Sequence, residues 1–78
     1  MSLYHKEVDS TRWTQKIAYA GDNVEYVGQA HPGTAASAAR WSIKKLTYSG
    51  SNVTDIQWAN SDNGFKFVWD DRASYTYA

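Results

Sequence analysis

The 78-residue chain has no cysteine, one proline and no net charge, with 8 Lys+Arg against 8 Asp+Glu. Without cysteine there can be neither a disulfide staple nor a Cys-based zinc site, so a small core must hold the fold together unaided. Charge neutrality argues against nucleic acid as the primary partner, because phosphate binding needs a basic excess or a strong basic patch. No apolar run approaches the roughly 18 residues of a membrane span, so no membrane partner is expected. Residues 1–9, Met1 to Asp9, lack the apolar stretch of a secretory signal. The sequence also has no Gly-x-Ser-x-Gly elbow, no Gly-rich phosphate loop and no His-Glu-x-x-His. A non-enzymatic protein without cofactor or metal is the expectation.

What the chain does have is aromatic mass, four Trp, six Tyr and two Phe, enough to offset a short length by burying large rings. It also has an internal repeat. Arg12-Trp13-Thr14 leads through Ile17 and Tyr19 to Gly21-Asp22-Asn23-Val24, and on through Val27 to Ala30. Arg40-Trp41-Ser42 leads through Leu46 and Tyr48 to Gly50-Ser51-Asn52-Val53, and on through Ile56 to Ala59. Each copy reads as strand, turn and strand: the arms are β-branched and aromatic, and Gly and Asn supply the positive φ of a tight turn. Asn52-Val53-Thr54 fits the glycosylation acceptor pattern, but reads here as a turn running into a strand.

The second copy is one residue longer between Trp and Tyr, so Trp41 and Tyr48 fall on opposite parities while Trp13, Ile17 and Tyr19 share one. A β-bulge near Lys44-Lys45 would reconcile the copies and curve the sheet; a helix over Arg40–Tyr48 is the competing assignment. Asp62-Asn63-Gly64, between Ile56–Trp58 and Phe65–Trp69, signals a further hairpin. Asp70-Asp71-Arg72 reads as a turn, Ser74–Tyr77 as a closing strand and Leu3–Val8 as a charged edge strand. His31-Pro32-Gly33 opens a linker whose Ala/Ser run, 35–39, is short-helical or extended. The expected architecture is all-β, one domain over residues 1–78. It is a small antiparallel β-sandwich or partly open barrel of five to seven strands, built from hairpins 12–30 and 40–59 and a C-terminal hairpin 56–77.

Candidate chemistry is sparse. His5 and His31 have no metal-ligand spacing. Asp70 and Asp71 are adjacent, but in a turn beside Arg72 they read as simple charge satisfaction. Asn60–Gly64 has the composition of a calcium loop without its alternation or distal Glu. Arg12, Lys16, Arg40, Lys44, Lys45 and Lys66 could line a basic stripe interleaved with aromatics, but Lys44 and Lys45 point to opposite faces. An enzyme would need a deep pocket holding His31 or Asp70. Of the tryptophans Trp13, Trp41, Trp58 and Trp69, at least three are assigned to the core. Rings left at the surface mark contact sites, and Tyr26, His31, Pro32, Trp58 and Tyr77 are the candidate partner-binding residues.

The stretch Tyr26–Thr34, Ala39–Lys45, Tyr48-Ser-Gly50, Asn52-Val53, Trp58-Ala59, Phe65 and Val68–Tyr77 resembles small uncharacterised proteins encoded in tailed-phage and environmental viral genomes. The resemblance spans about two thirds of the chain and carries over no catalytic residue. It implies a viral setting: a structural or attachment component of the virion, found in the particle or in the host cytoplasm before assembly. Its partners would be other virion proteins or a second copy of itself. Carbohydrate, bound on exposed Trp and Tyr, is the alternative.

Overall fold

A computed structural model describes residues 13–78. The expected edge strand Leu3–Val8, together with His5 and Arg12, lies outside those residues. The two repeats form two antiparallel hairpins. Strands β1 (Thr14–Ala20) and β2 (Asn23–Ala30) make the first, β3 (Ala39–Ser49) and β4 (Asn52–Trp58) the second. They lie side by side in the order β1-β2-β3-β4, and a two-residue β5 (Phe67–Val68) pairs with the start of β3. The protein is therefore all-β and antiparallel, with five strands in a sheet that is not closed. Residues 40–48 are strand, not helix.

The hairpins turn alike. Gly21 and Gly50 each hold φ +64 at the first central position of a two-residue loop, where a side chain would be strained. One step later each return strand carries an extra residue. Ala18 pairs with Tyr26 and Tyr19 with Val24, leaving Glu25 bulged; Thr47 pairs with Asp55 and Tyr48 with Val53, leaving Thr54 bulged. The bulge expected at Lys44-Lys45 is absent: Lys44, Lys45 and Leu46 pair in unbroken register with Trp58, Gln57 and Ile56. Asn52 opens β4, and the Thr54 hydroxyl donates to the Thr47 carbonyl at 3.2 Å, so this segment is the turn-proximal end of a hairpin.

Without that bulge the longer second arm changes which face its tryptophan takes. Tyr19 follows Trp13 by six positions, whereas Tyr48 follows Trp41 by seven. Alternation along a strand then puts Trp13 on the same face as Ile17 and Tyr19, and Trp41 on the opposite face, with Ile43. The core forms on that second face, from Ala30, Trp41, Ile43, Ala59, Phe67 and Trp69. Trp41 and Ile43 are fully buried. Trp69 lies flat on Gly28, where a Cβ would stand 2.4 Å from the indole ring. Trp41 and Trp69 meet at 6.0 Å between ring centroids.

The C-terminal segment covers this face, but not as the sequence suggests. The tight turn falls on Asn60 (φ 50) and Ser61 (φ 59), with the Asp62 N–H donating to the Ala59 carbonyl at 3.0 Å. Asp62-Asn63-Gly64 instead forms a side-chain turn, in which the Gly64 N–H donates to Asp62 Oδ1 at 2.7 Å. Asn60 is of a type that occasionally visits left-handed backbone, Ser61 is held there beside it, and the turn lies two residues earlier than the Asp-Asn-Gly signal. Residues 56–77 do double back. They close, however, through an Ala59–Tyr77 bridge and paired bonds between Trp58 and Ala78, while β5 joins β3 rather than β4. Trp69–Ser74 is a 3-10 helix that includes the expected Asp70–Arg72 turn. The linker 31–39 forms turns rather than a helix. Its Ala35 carbonyl accepts from the Trp41 indole at 2.9 Å, and half-buried Ala36 packs on the core. Its small side chains thus serve close approach within the chain.

Candidate interaction face

Among the described residues, the opposite face of the sheet is largely uncovered. Strand register arranges it in rows that cross the strands. Ile17 pairs with Val27, Val27 with Lys44 and Lys44 with Trp58, so these four side chains form one row across β1 to β4. The neighbouring row carries Tyr19, paired with Val24, and Leu46, paired with Ile56. Exposure is 49% for Ile17, 61% for Tyr19 and 54% for Ile56. On the other side of the Ile17 row lies a polar row, Gln15–Gln29–Ser42, where the buried Ser42 hydroxyl donates to the Asn63 carbonyl at 3.0 Å. Beyond it Trp13 stacks on Phe65 at 4.9 Å and tilts against His31 at 4.8 Å.

Charge on this face is low. Lys44 is the one ionised side chain in the Ile17 row, and its ammonium sits 5.5 Å from the Trp58 ring centroid, a cation–π contact; in the next row the bulged Glu25 is the β2 position beside Leu46. Lys45 points to the covered face, 5.8 Å from Tyr26, so the two lysines diverge as strand alternation requires. Scattered single apolar residues are ordinary on a protein surface; contiguous rows on one sheet face mark a contact surface.

The candidate residues do not converge on one patch. Tyr26 and Tyr77 meet at 5.5 Å at the rim of the core, with the Arg72 guanidinium 6.0 Å from Tyr26. The Tyr77 hydroxyl donates to the Arg72 carbonyl at 2.7 Å, and burial raises its pKa above the ordinary tyrosine range. His31 and Pro32 are exposed beside Trp13. Trp58 alone lies in the open-face row. Ile17, Tyr19, Ile56 and Phe65 were not among the sequence candidates. Their signal was the shared parity of Trp13, Ile17 and Tyr19, which fits an exposed apolar face as well as a core. Of the tryptophans, Trp41 and Trp69 are buried, while Trp13 and Trp58 are half-buried.

Elsewhere, a cleft of about 460 Å³ beside the 3-10 helix is lined by Tyr19, Glu25, Tyr26, Asp70 and Arg72. Arg72 is already held there, stacked 4.7 Å from the Trp69 ring and donating to the Trp69 carbonyl at 3.2 Å. Asp62 pairs with Lys66, and that bond, then the Gly64 N–H, holds its carboxyl below the usual range. Among the described residues no three His, Cys, Asp or Glu side chains come together as a metal site would require. Set against protein families, curated proteins and solved structures, the chain matches none.

Proposed function

We propose that the chain is a non-enzymatic structural or attachment component that works through protein–protein contacts made by the open face of its sheet. The observation that carries this reading is the pair of apolar rows, with Ile17 and Ile56 about half exposed and a single lysine between them. Such a face is stabilised when a partner removes it from water, by roughly 25 cal/mol per Å² of apolar surface. The virion setting, in the particle or in the host cytoplasm before assembly, rests on the viral resemblance of residues 26–77. The test is capture of particle proteins from an infected-host lysate by the tagged chain. The intact chain should retain defined particle proteins, and a doubly substituted Ile17→Lys, Ile56→Lys chain should lose them. Equal retention by both would overturn the reading.

One observation favours carbohydrate as a second reading. Phe65, 42% exposed, stacks on Trp13 beside the Gln15–Gln29 row, which sets ring faces next to amide hydrogen-bonding groups. Saturable quenching of tryptophan fluorescence by a sugar, lost in Trp13→Ala, would establish it.

A further inference from the structure

We infer that Asn63–Gly64 is a self-modification site: the Gly64 backbone nitrogen attacks the exposed Asn63 side chain and converts it to aspartate and isoaspartate, at a rate that Asp62 sets by holding that nitrogen. The site is separate from the two apolar rows, so it stands whatever those rows contact.

Of the four asparagines, Asn23 and Asn52 precede valine, Asn60 precedes serine, and Asn63 alone precedes glycine. A side chain after asparagine shields the next backbone nitrogen, and glycine leaves it open. Asn63 is exposed, so water reaches its carboxamide. Water is also the one co-reactant needed. The Gly64 nitrogen gives up its proton and bonds to Asn63 Cγ. The Cγ–Nδ2 bond breaks, ammonia leaves, and a succinimide ring closes. Water then opens the ring. Cleavage of the new N–Cγ bond leaves aspartate. Cleavage at the main-chain carbonyl leaves isoaspartate, with the chain now running through Cγ.

The fold restrains the first step. The Gly64 N–H donates to Asp62 Oδ1 at 2.7 Å, a short bond to a charged acceptor. The pair with Lys66 keeps that carboxylate ionised. Loss of the amide proton would set a nitrogen anion against a carboxylate, and like charges disfavour ionisation. The approach itself depends on glycine, because a Cβ at residue 64 would stand 2.9 Å from the same oxygen. The residue that makes Asn63 reactive is thus the one that lets Asp62 hold the reaction back. A second tie, from the buried Ser42 hydroxyl to the Asn63 carbonyl at 3.0 Å, fixes the main chain on the other side of the reacting atoms. Conversion reaches the surface around it. Either product gives the neutral chain one negative charge, and isoaspartate lengthens the main chain just before Phe65, which stacks on Trp13.

The test is ageing of the full chain at neutral pH, read by intact mass, peptide mapping and an isoaspartate assay. The acid form should appear at residue 63 before it appears at Asn23, Asn52 or Asn60. Asp62→Ala should speed conversion roughly tenfold, the scale of a released hydrogen bond to a charged group. Asp62→Ser, whose hydroxyl can accept the same bond without charge, should fall between. Lys66→Ala, which leaves the carboxylate in place, should change the rate far less. The chain unfolded in urea should convert at least as fast as Asp62→Ala. Near-ultraviolet circular dichroism separates release of the nitrogen from loss of the fold, and if alanine unfolds the chain the serine variant decides. Conversion in the folded variant no faster than in the intact chain would overturn the restraint, and a slower rate would make Asp62 the base that takes the proton. First conversion at another asparagine would overturn the site, as would an unchanged mass in every variant and in urea.

Discussion

The two hairpins share a turn, a bulge position and a terminal buried alanine, yet they use their tryptophans oppositely. Ala30 and Ala59 are both fully buried at matching ends. Counting back from the turn, Tyr19 matches Tyr48 and Ile17 matches Leu46, while Trp13 matches Ser42 rather than Trp41. The single added residue in β3 shifts Trp41 onto the covered face and leaves Trp13 on the open one. Likeness of local motif therefore says little about burial. The count of residues to the turn decides it, because the period of a strand is two and the turn fixes the phase.

Deleting Lys44 would break that difference outright. It returns the second arm to the spacing of the first and turns Trp41 outward, so we expect loss of a cooperative unfolding transition by circular dichroism. Single truncations sharpen the contrast: Trp41→Ala should cost about 3–5 kcal/mol in urea denaturation, and Trp13→Ala less than half as much. The return strands offer a smaller version. Gly28 and Gln57 are equivalent, but only Gly28 lies beneath Trp69, so Gly28→Ala should cost about 1–3 kcal/mol and Gln57→Ala under about 0.5. At the turns the hairpins should behave alike, since open space surrounds both glycines: Gly21→Ala and Gly50→Ala should each cost about 1 kcal/mol, from positive φ alone. The smallest effect concerns pH. Burial keeps Tyr77 protonated above its ordinary range, whereas in the unfolded chain it ionises near 10. The folded state then binds the proton more tightly, so this stabilisation is complete below pH 10 and fades as pH rises further. Tyr77→Phe should remove that part of the alkaline loss, measured by urea midpoints across pH 9–11.

Much of this fold was legible in the residues. The Gly-x-Asn-Val turns, the β-branched arms and the repeat specify both hairpins, because turn chemistry and strand period agree there. The C-terminal third was less legible. Asp62-Asn63-Gly64 is a strong hairpin signal, but Phe67 and Trp69 gain more by packing on Trp41 and Gly28 than by pairing with β4, and burial prevails over local turn preference. The contact face was half-legible. The parity of Trp13, Ile17 and Tyr19 was plain, but alternation alone does not say which of two faces a remote segment will cover. That choice was set by Gly28, whose missing side chain admits Trp69 on one side only.

Phe67 and Trp69 also order events during synthesis. Strands β1 to β4 leave the ribosome first, and until residues 67–77 follow, the core face lacks the cover that Phe67 and Trp69 supply. At that stage Trp41 and Ile43 have nothing above them, and the nascent chain is more prone to stick to its neighbours than the finished protein is.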